Sequence, residues 1–135
     1  MIQITPQMRV LVAVEPADFR CGIDGLAQRC RAVLKLDPMT GTVILFRNRT
    51  RKAIKLLVYD GQGFWLCQKR LSHGKFGFWP SSTDGVVGEL WAPELQVLIF
   101  GGDPAKARGA PVWREVGARR AVGIEREGLA FHEGR

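Results

Sequence analysis

Between Arg47 and Lys75 the chain places eight basic residues, Arg47, Arg49, Arg51, Lys52, Lys55, Lys69, Arg70 and Lys75, against a single acid, Asp60. That stretch alone accounts for the net charge of +7 carried by the whole 135-residue chain. Phe46, Tyr59, Phe64, Trp65, Phe76, Phe78 and Trp79 are interleaved with it or flank it. A positive excess confined to one segment and mixed with aromatic rings is the footprint of a surface that meets a polyanion, nucleic acid first among them. In this reading Arg47, Arg49, Arg51, Lys52, Lys69 and Arg70 contact phosphates, and Lys55 and Lys75 add to the same basic surface. Tyr59 or Trp65 stacks on a base or lies along a sugar. The arginines of the Arg47–Arg51 turn suit the job because a planar guanidinium grips phosphate bidentately. The plainer alternative is a solvated sheet face whose aromatics lie under a helix or a partner.

A second group, Asp18, Arg20 and Asp24, falls at a junction between an apolar run and a helical pattern. There an acid flanks the positive end of a helix and an arginine pairs with it. The competing chemistry is a nuclease in which Asp18, Asp24 and Asp60 converge on Mg²⁺ and activate water. Against it, the sequence holds no HExxH and no Gly-rich phosphate loop, and its two histidines give no obvious Ser/His/Asp set. Cys21, Cys30 and Cys67 form no CxxC pair and lie at no zinc-ligand spacing from His73 or His132, so they read as reduced, buried thiols. His73, beside a glycine in a basic loop, reads as a surface residue or a further anion contact. The expectation is a non-enzymatic protein with no catalytic residue, no metal and no cofactor.

The elements that must position these residues follow from period and punctuation. Met8–Val14 is a short valine-rich run bounded by prolines, which reads as a strand. Ile23, Leu26, Ala27, Cys30, Val33 and Leu34 recur at helical spacing, so a helix is expected over Gly22–Leu36, stopped by Asp37-Pro38. Thr42–Phe46, Ala53–Tyr59 and Phe64–Leu71 read as strands, the last two joined across Asp60-Gly61-Gln62-Gly63. A three-residue loop, Gly61 to Gly63, gives the cleaner division of side chains. It sets Ile54, Leu56, Val58, Phe64 and Leu66 on one face, with Lys55, Leu57, Tyr59, Trp65, Cys67 and Lys69 on the other. His73–Pro80 reads as a short edge strand stopped by Pro80, Ser81–Gly88 as a loop, and Glu89–Phe100 as a second helix ended by Gly101-Gly102.

The fold class expected is α+β: a small, mainly antiparallel sheet of four to five strands with two helices covering one face. Residues 1–103 form the single domain. Residues 104–135 form a tail that is disordered or ordered by a partner. The N-terminal residues show no leader pattern and no apolar run approaches a membrane span, which points to the cytoplasm and away from membranes.

Several of these segments carry a resemblance. Asp18–Leu26, Gly41–Arg49, Lys55–Leu71, Gly74–Pro80 and the stretch ending at Gly101-Gly102-Asp103 resemble, in order, the signature blocks of the small TnpB-type accessory protein of the sixty-six family of insertion sequences. That family is unrelated to the RNA-guided nuclease sharing the label. The resemblance implies a bacterial mobile-element protein made beside a separate, larger transposase and needed for transposition, without an assigned chemistry of its own. Joined to the residue-level reading, it gives an accessory factor that binds DNA through a basic aromatic hairpin and helps hold the transposase at element ends. The alternative is a protein-interaction subunit that docks on the transposase, or on a second copy, through the aromatic edge Phe76-Phe78-Trp79 and the tail.

Overall fold

The computed structural model describes Thr5 and residues 8–106. Five strands, β1 (Val10–Ala13), β2 (Val43–Arg47), β3 (Ala53–Tyr59), β4 (Phe64–Arg70) and β5 (Val87–Leu90), form one sheet in the order β4-β3-β2-β1-β5. β1 and β2 run parallel because the chain crosses between them through α1 (Ile23–Arg29). Every other pair is antiparallel. The α+β class is as the sequence implies.

The two helices lie on opposite faces, which corrects the expectation that both cover one. Leu26 and Ala27 of α1 pack with Leu11, Ile44, Phe46 and Leu57. Leu95 and Leu98 of α2 (Ala92–Ile99) pack with Val10, Val12, Leu45, Ile54 and Leu56 on the other side. Burial on both faces explains why β1 and β2 read as unbroken apolar runs, since a strand open to water on one side would alternate.

α1 widens after Arg29 into a π-helical turn, Cys30–Leu34, and Lys35 closes it in the left-handed region at φ 57°. Leu36 N–H donates to the Cys30 carbonyl at 2.8 Å, so the chain leaves before Pro38 as expected. The second helix begins later than its sequence pattern suggests. Val87–Leu90 is strand, and Glu89 is buried with its carboxylate 3.7 Å from Arg9. The Glu94 carboxylate then accepts the Trp91 N–H at 2.6 Å and caps α2. At the far end Gly101, at φ 84°, and Gly102 donate to Leu98 and Val97 carbonyls, the paired bonds that close a helix on a left-handed glycine.

Phe76–Trp79 is not an edge strand. Phe76 is buried in the α2-side core, Phe78 and Trp79 are half-buried, and the Trp79 indole donates to the Ala13 carbonyl at 3.0 Å. The segment is a strap across the sheet end, and the fifth strand is β5. Pro104–Lys106 forms a short 3-10 turn beside α2; the rest of the expected tail lies outside the described residues. No helix among the described residues is long and apolar enough to cross a membrane.

Candidate nucleic-acid interface

The hairpin register decides what the basic segment can do. Tyr59 pairs with Phe64 and Ala53 with Arg70, so Asp60–Gly63 is a four-residue loop and the three-residue expectation fails by one position. The cause is the Asp60 carboxylate, which accepts the Gln62 and Gly63 N–H groups at 2.9 Å each and the Trp65 indole at 2.7 Å. These donors hold the Asp60 carboxyl below its ordinary range. Tyr59 lies edge-on against Phe64, 5.1 Å between centroids, and its hydroxyl donates to the Gly61 carbonyl at 3.2 Å. With the register shifted, Tyr59 and Trp65 point to opposite faces.

They also sit far from the arginines. β3 runs from the basic turn to the hairpin tip, and six strand steps span ~20 Å. The expected basic aromatic hairpin is therefore two regions at opposite ends of the sheet.

At the basic end, Asn48 organises the turn. Its side-chain oxygen accepts Lys52 and Ala53 N–H groups at 3.0 and 3.2 Å, and Arg51 takes a left-handed conformation at φ 60°. Arg49 and Lys52 are left exposed. The loop after β4 is strapped to this turn: Leu71 N–H donates to the Lys52 carbonyl at 2.9 Å and Phe76 N–H to the Arg51 carbonyl at 2.8 Å. Arg70 and Lys75, at either side of that loop, are exposed. A recess of about 500 Å³ lies between, lined by Lys52, Arg70, Leu71, Ser72, His73 and Gly74.

On the other side of the turn a groove of about 540 Å³ runs between residues 16–20 and Asn48–Thr50. The parallel β1–β2 pair creates it, because both strands leave the sheet at this end and Ala17 N–H donates to the Arg47 carbonyl at 2.9 Å. Arg20 grips Asp18 bidentately, at 2.8 Å from Nη2 and 3.1 Å from Nε. Those hydrogen bonds lower the Asp18 pKa to about 2. Asp18 thus lies a sheet's length from Asp60, and the two do not converge. Among the described residues no group of three His, Cys, Asp or Glu side chains is placed to hold a metal ion.

The ten residues singled out by sequence therefore divide. Arg47, Arg49, Arg51, Lys52, Arg70 and Lys75 come together. Arg47 is half-buried, its guanidinium 5.9 Å from the Trp79 ring centroid, and desolvation lowers its pKa. Lys55 is withdrawn: it is 5% exposed and its ammonium donates to the Phe19 and Cys21 carbonyls at 3.0 and 3.1 Å, pinning the loop into α1. Lys69 donates to the Ile99 carbonyl at 2.6 Å at the C-terminal end of α2. Sequence reasoning undervalued Arg20 and Asn48, which line the groove; a parallel β1–β2 pair, once recognised, places both at this end.

The residue pattern behind this architecture is shared. The family described as IS66 Orf2 like protein matches residues 8–109, more than half of the chain. The chain belongs to that family. Among curated relatives, it is 38% identical over 103 residues to the uncharacterized protein y4hO of Sinorhizobium fredii, covering 76% of this chain and 88% of that one. It is 33% identical over 114 residues to the uncharacterized protein y4jC of the same organism, covering 84% and 96%. No solved structure matches. The matched region includes every element of the sheet, the groove and the basic turn, and membership of this family suggests an accessory role in transposition.

Proposed function

We propose that this IS66 Orf2-like protein is a non-enzymatic factor of insertion-sequence transposition that binds DNA through the basic end of its sheet. The observation that carries the reading is the convergence of Arg49, Arg51, Lys52, Arg70 and Lys75 on one sheet end, beside an open groove and recess. Such cations contact phosphates and position a protein without reading bases, so binding is largely indifferent to sequence. The separate transposase is the expected partner, in the bacterial cytoplasm. Lys55, Lys69, Tyr59 and Trp65 are left out of the surface because their polar groups are engaged within the protein.

The test is fluorescence anisotropy with labelled duplex and single-stranded DNA, comparing the wild type with the Arg49→Glu, Lys52→Glu, Arg70→Glu triple variant. All three side chains are exposed, so folding should survive. Affinity should fall by at least about tenfold on every sequence tested. Undiminished affinity in the folded variant would remove the basic end from the account. Arg47 is a poor choice for reversal because it is half-buried against Trp79.

A further inference from the structure

The two edges of the sheet are built differently. β5 is four residues long and entirely buried, whereas β4 runs seven residues, with Trp65, Gln68 and Arg70 exposed. β4 contains neither proline nor a bulge, devices that commonly guard an edge. Lys69, which could guard it, is drawn to the Ile99 carbonyl.

The bonds at either end of the hairpin fix which backbone groups of β4 face outward. Asp60 N–H donates to the Gly63 carbonyl and Leu71 N–H to the Lys52 carbonyl. Hydrogen-bonded pairs alternate along an antiparallel ladder, so Val58–Trp65, Leu56–Cys67 and Ile54–Lys69 are the bonded pairs. The N–H and C=O groups of Phe64, Leu66, Gln68 and Arg70 therefore point away from β3. No strand lies beyond β4 among the described residues.

We infer that this edge pairs with β4 of a second copy, antiparallel, about a two-fold axis at Cys67. Three observations select that occupant and register. Centring on Cys67 pairs all of β4, and it sets Leu66 opposite Gln68 and Phe64 opposite Arg70, each a residue with outward backbone groups. The same register places Trp65 opposite Lys69 and Phe64 opposite Arg70, so every aromatic on the strand meets a cation. An axis at Lys69 or Arg70 would instead oppose like charges. Finally, the Lys69 ammonium lies 5.4 Å from the ring centroid of Phe100, which is 84% exposed, so Trp65 of the second copy arrives beside an uncovered aromatic. Because the strands are antiparallel, the two basic ends point in opposite directions. The dimer would then bridge two DNA segments, a consequence that rests on the proposed function, although the pairing itself does not.

The experiment uses the full chain, freed of nucleic acid, in sedimentation equilibrium over a concentration series and under mild oxidation. A non-hydrogen-bonded antiparallel pair holds its Cα atoms at about 4.5 Å, within the reach of a disulfide. Oxidation should link the dimer through Cys67, so the link should persist in Cys21→Ser and vanish in Cys67→Ser; Cys30 is fully buried. Gln68→Pro removes an outward N–H and should give a monomer whose melting is otherwise native. Should that variant fail to fold, Trp65→Lys, which sets lysine against Lys69, should weaken association by at least about tenfold. A monomeric wild type, a link that requires Cys21, or a dimer indifferent to Trp65→Lys would overturn the pairing. A monomer whose DNA binding still responds to the triple reversal sinks the pairing alone; a dimer that ignores DNA sinks the functional reading alone.

Discussion

The two ends of the sheet hold polar groups in opposite ways. At the hairpin tip the Asp60 carboxylate takes three donors and the Tyr59 hydroxyl closes on the loop carbonyl of Gly61. At the basic end the backbone is tied down by Asn48 and by the Phe76 strap, yet Arg49, Lys52, Arg70 and Lys75 project into solvent. One end satisfies itself. The other holds a rigid frame beneath cations left free to meet a ligand, as a positioned binding surface requires.

The sharpest way to break this contrast is to loosen the frame from below. Lys55→Ala leaves the Phe19 and Cys21 carbonyls without their donor and should cost about 2–3 kcal/mol in denaturant unfolding. DNA affinity measured well below the transition should fall less than in the surface reversal. A loss under 0.5 kcal/mol, which is roughly the scale of an ordinary surface change, would show that Lys55 is not an anchor.

Replacing the tip aromatics sharpens the contrast from the other side. The Tyr59→Leu, Trp65→Ser double variant should change affinity for DNA by less than about twofold, since neither ring lies near the exposed cations of the basic end, where the proposed phosphate contacts are made. A tenfold loss, on the order of removing one stacked base, would restore the tip to the binding surface.

Smallest of all is the acid titration of Asp18. Its folded pKa, about 2, lies below the ordinary carboxyl value of 3.8, chiefly because the Arg20 side chain donates to it. The contribution is therefore present above the unfolded pKa and disappears as pH falls through the folded one. Carboxyl NMR should place the midpoint near 2 in the wild type and higher in Arg20→Gln. Equal midpoints would show that the pair is not formed in solution.

Most of the elements behind this contrast were legible in the sequence, the contrast itself was not, and the failures have specific causes. The stripe from Ile23 to Leu34 announced α1, and Gly101-Gly102 announced the end of α2, because period and left-handed glycine are local signals. The basic turn was legible as charge. The register was not: the division of side chains assumed that lysine belongs outside, whereas Lys55 reaches two carbonyls and is buried. Glu89 misled similarly, a charged residue hidden in β5 with Arg9 beside it, so a short strand read as the first turn of a helix. The opposed helices were foreshadowed by the unbroken apolar runs of β1 and β2. Arg20's approach to the basic turn depends on the parallel β1–β2 pairing, which is not a local property.

The central claim is that binding strength resides in phosphate contacts at the basic end, and salt dependence tests it most directly. With roughly four to six phosphates neutralised, log K on duplex DNA should fall against log salt with a slope of about −0.9 per phosphate. The slope should flatten in the Arg49→Glu, Lys52→Glu, Arg70→Glu variant and stay unchanged in the tip variant. A shallow wild-type slope, or one that flattens only when Tyr59 and Trp65 are replaced, would contradict the account.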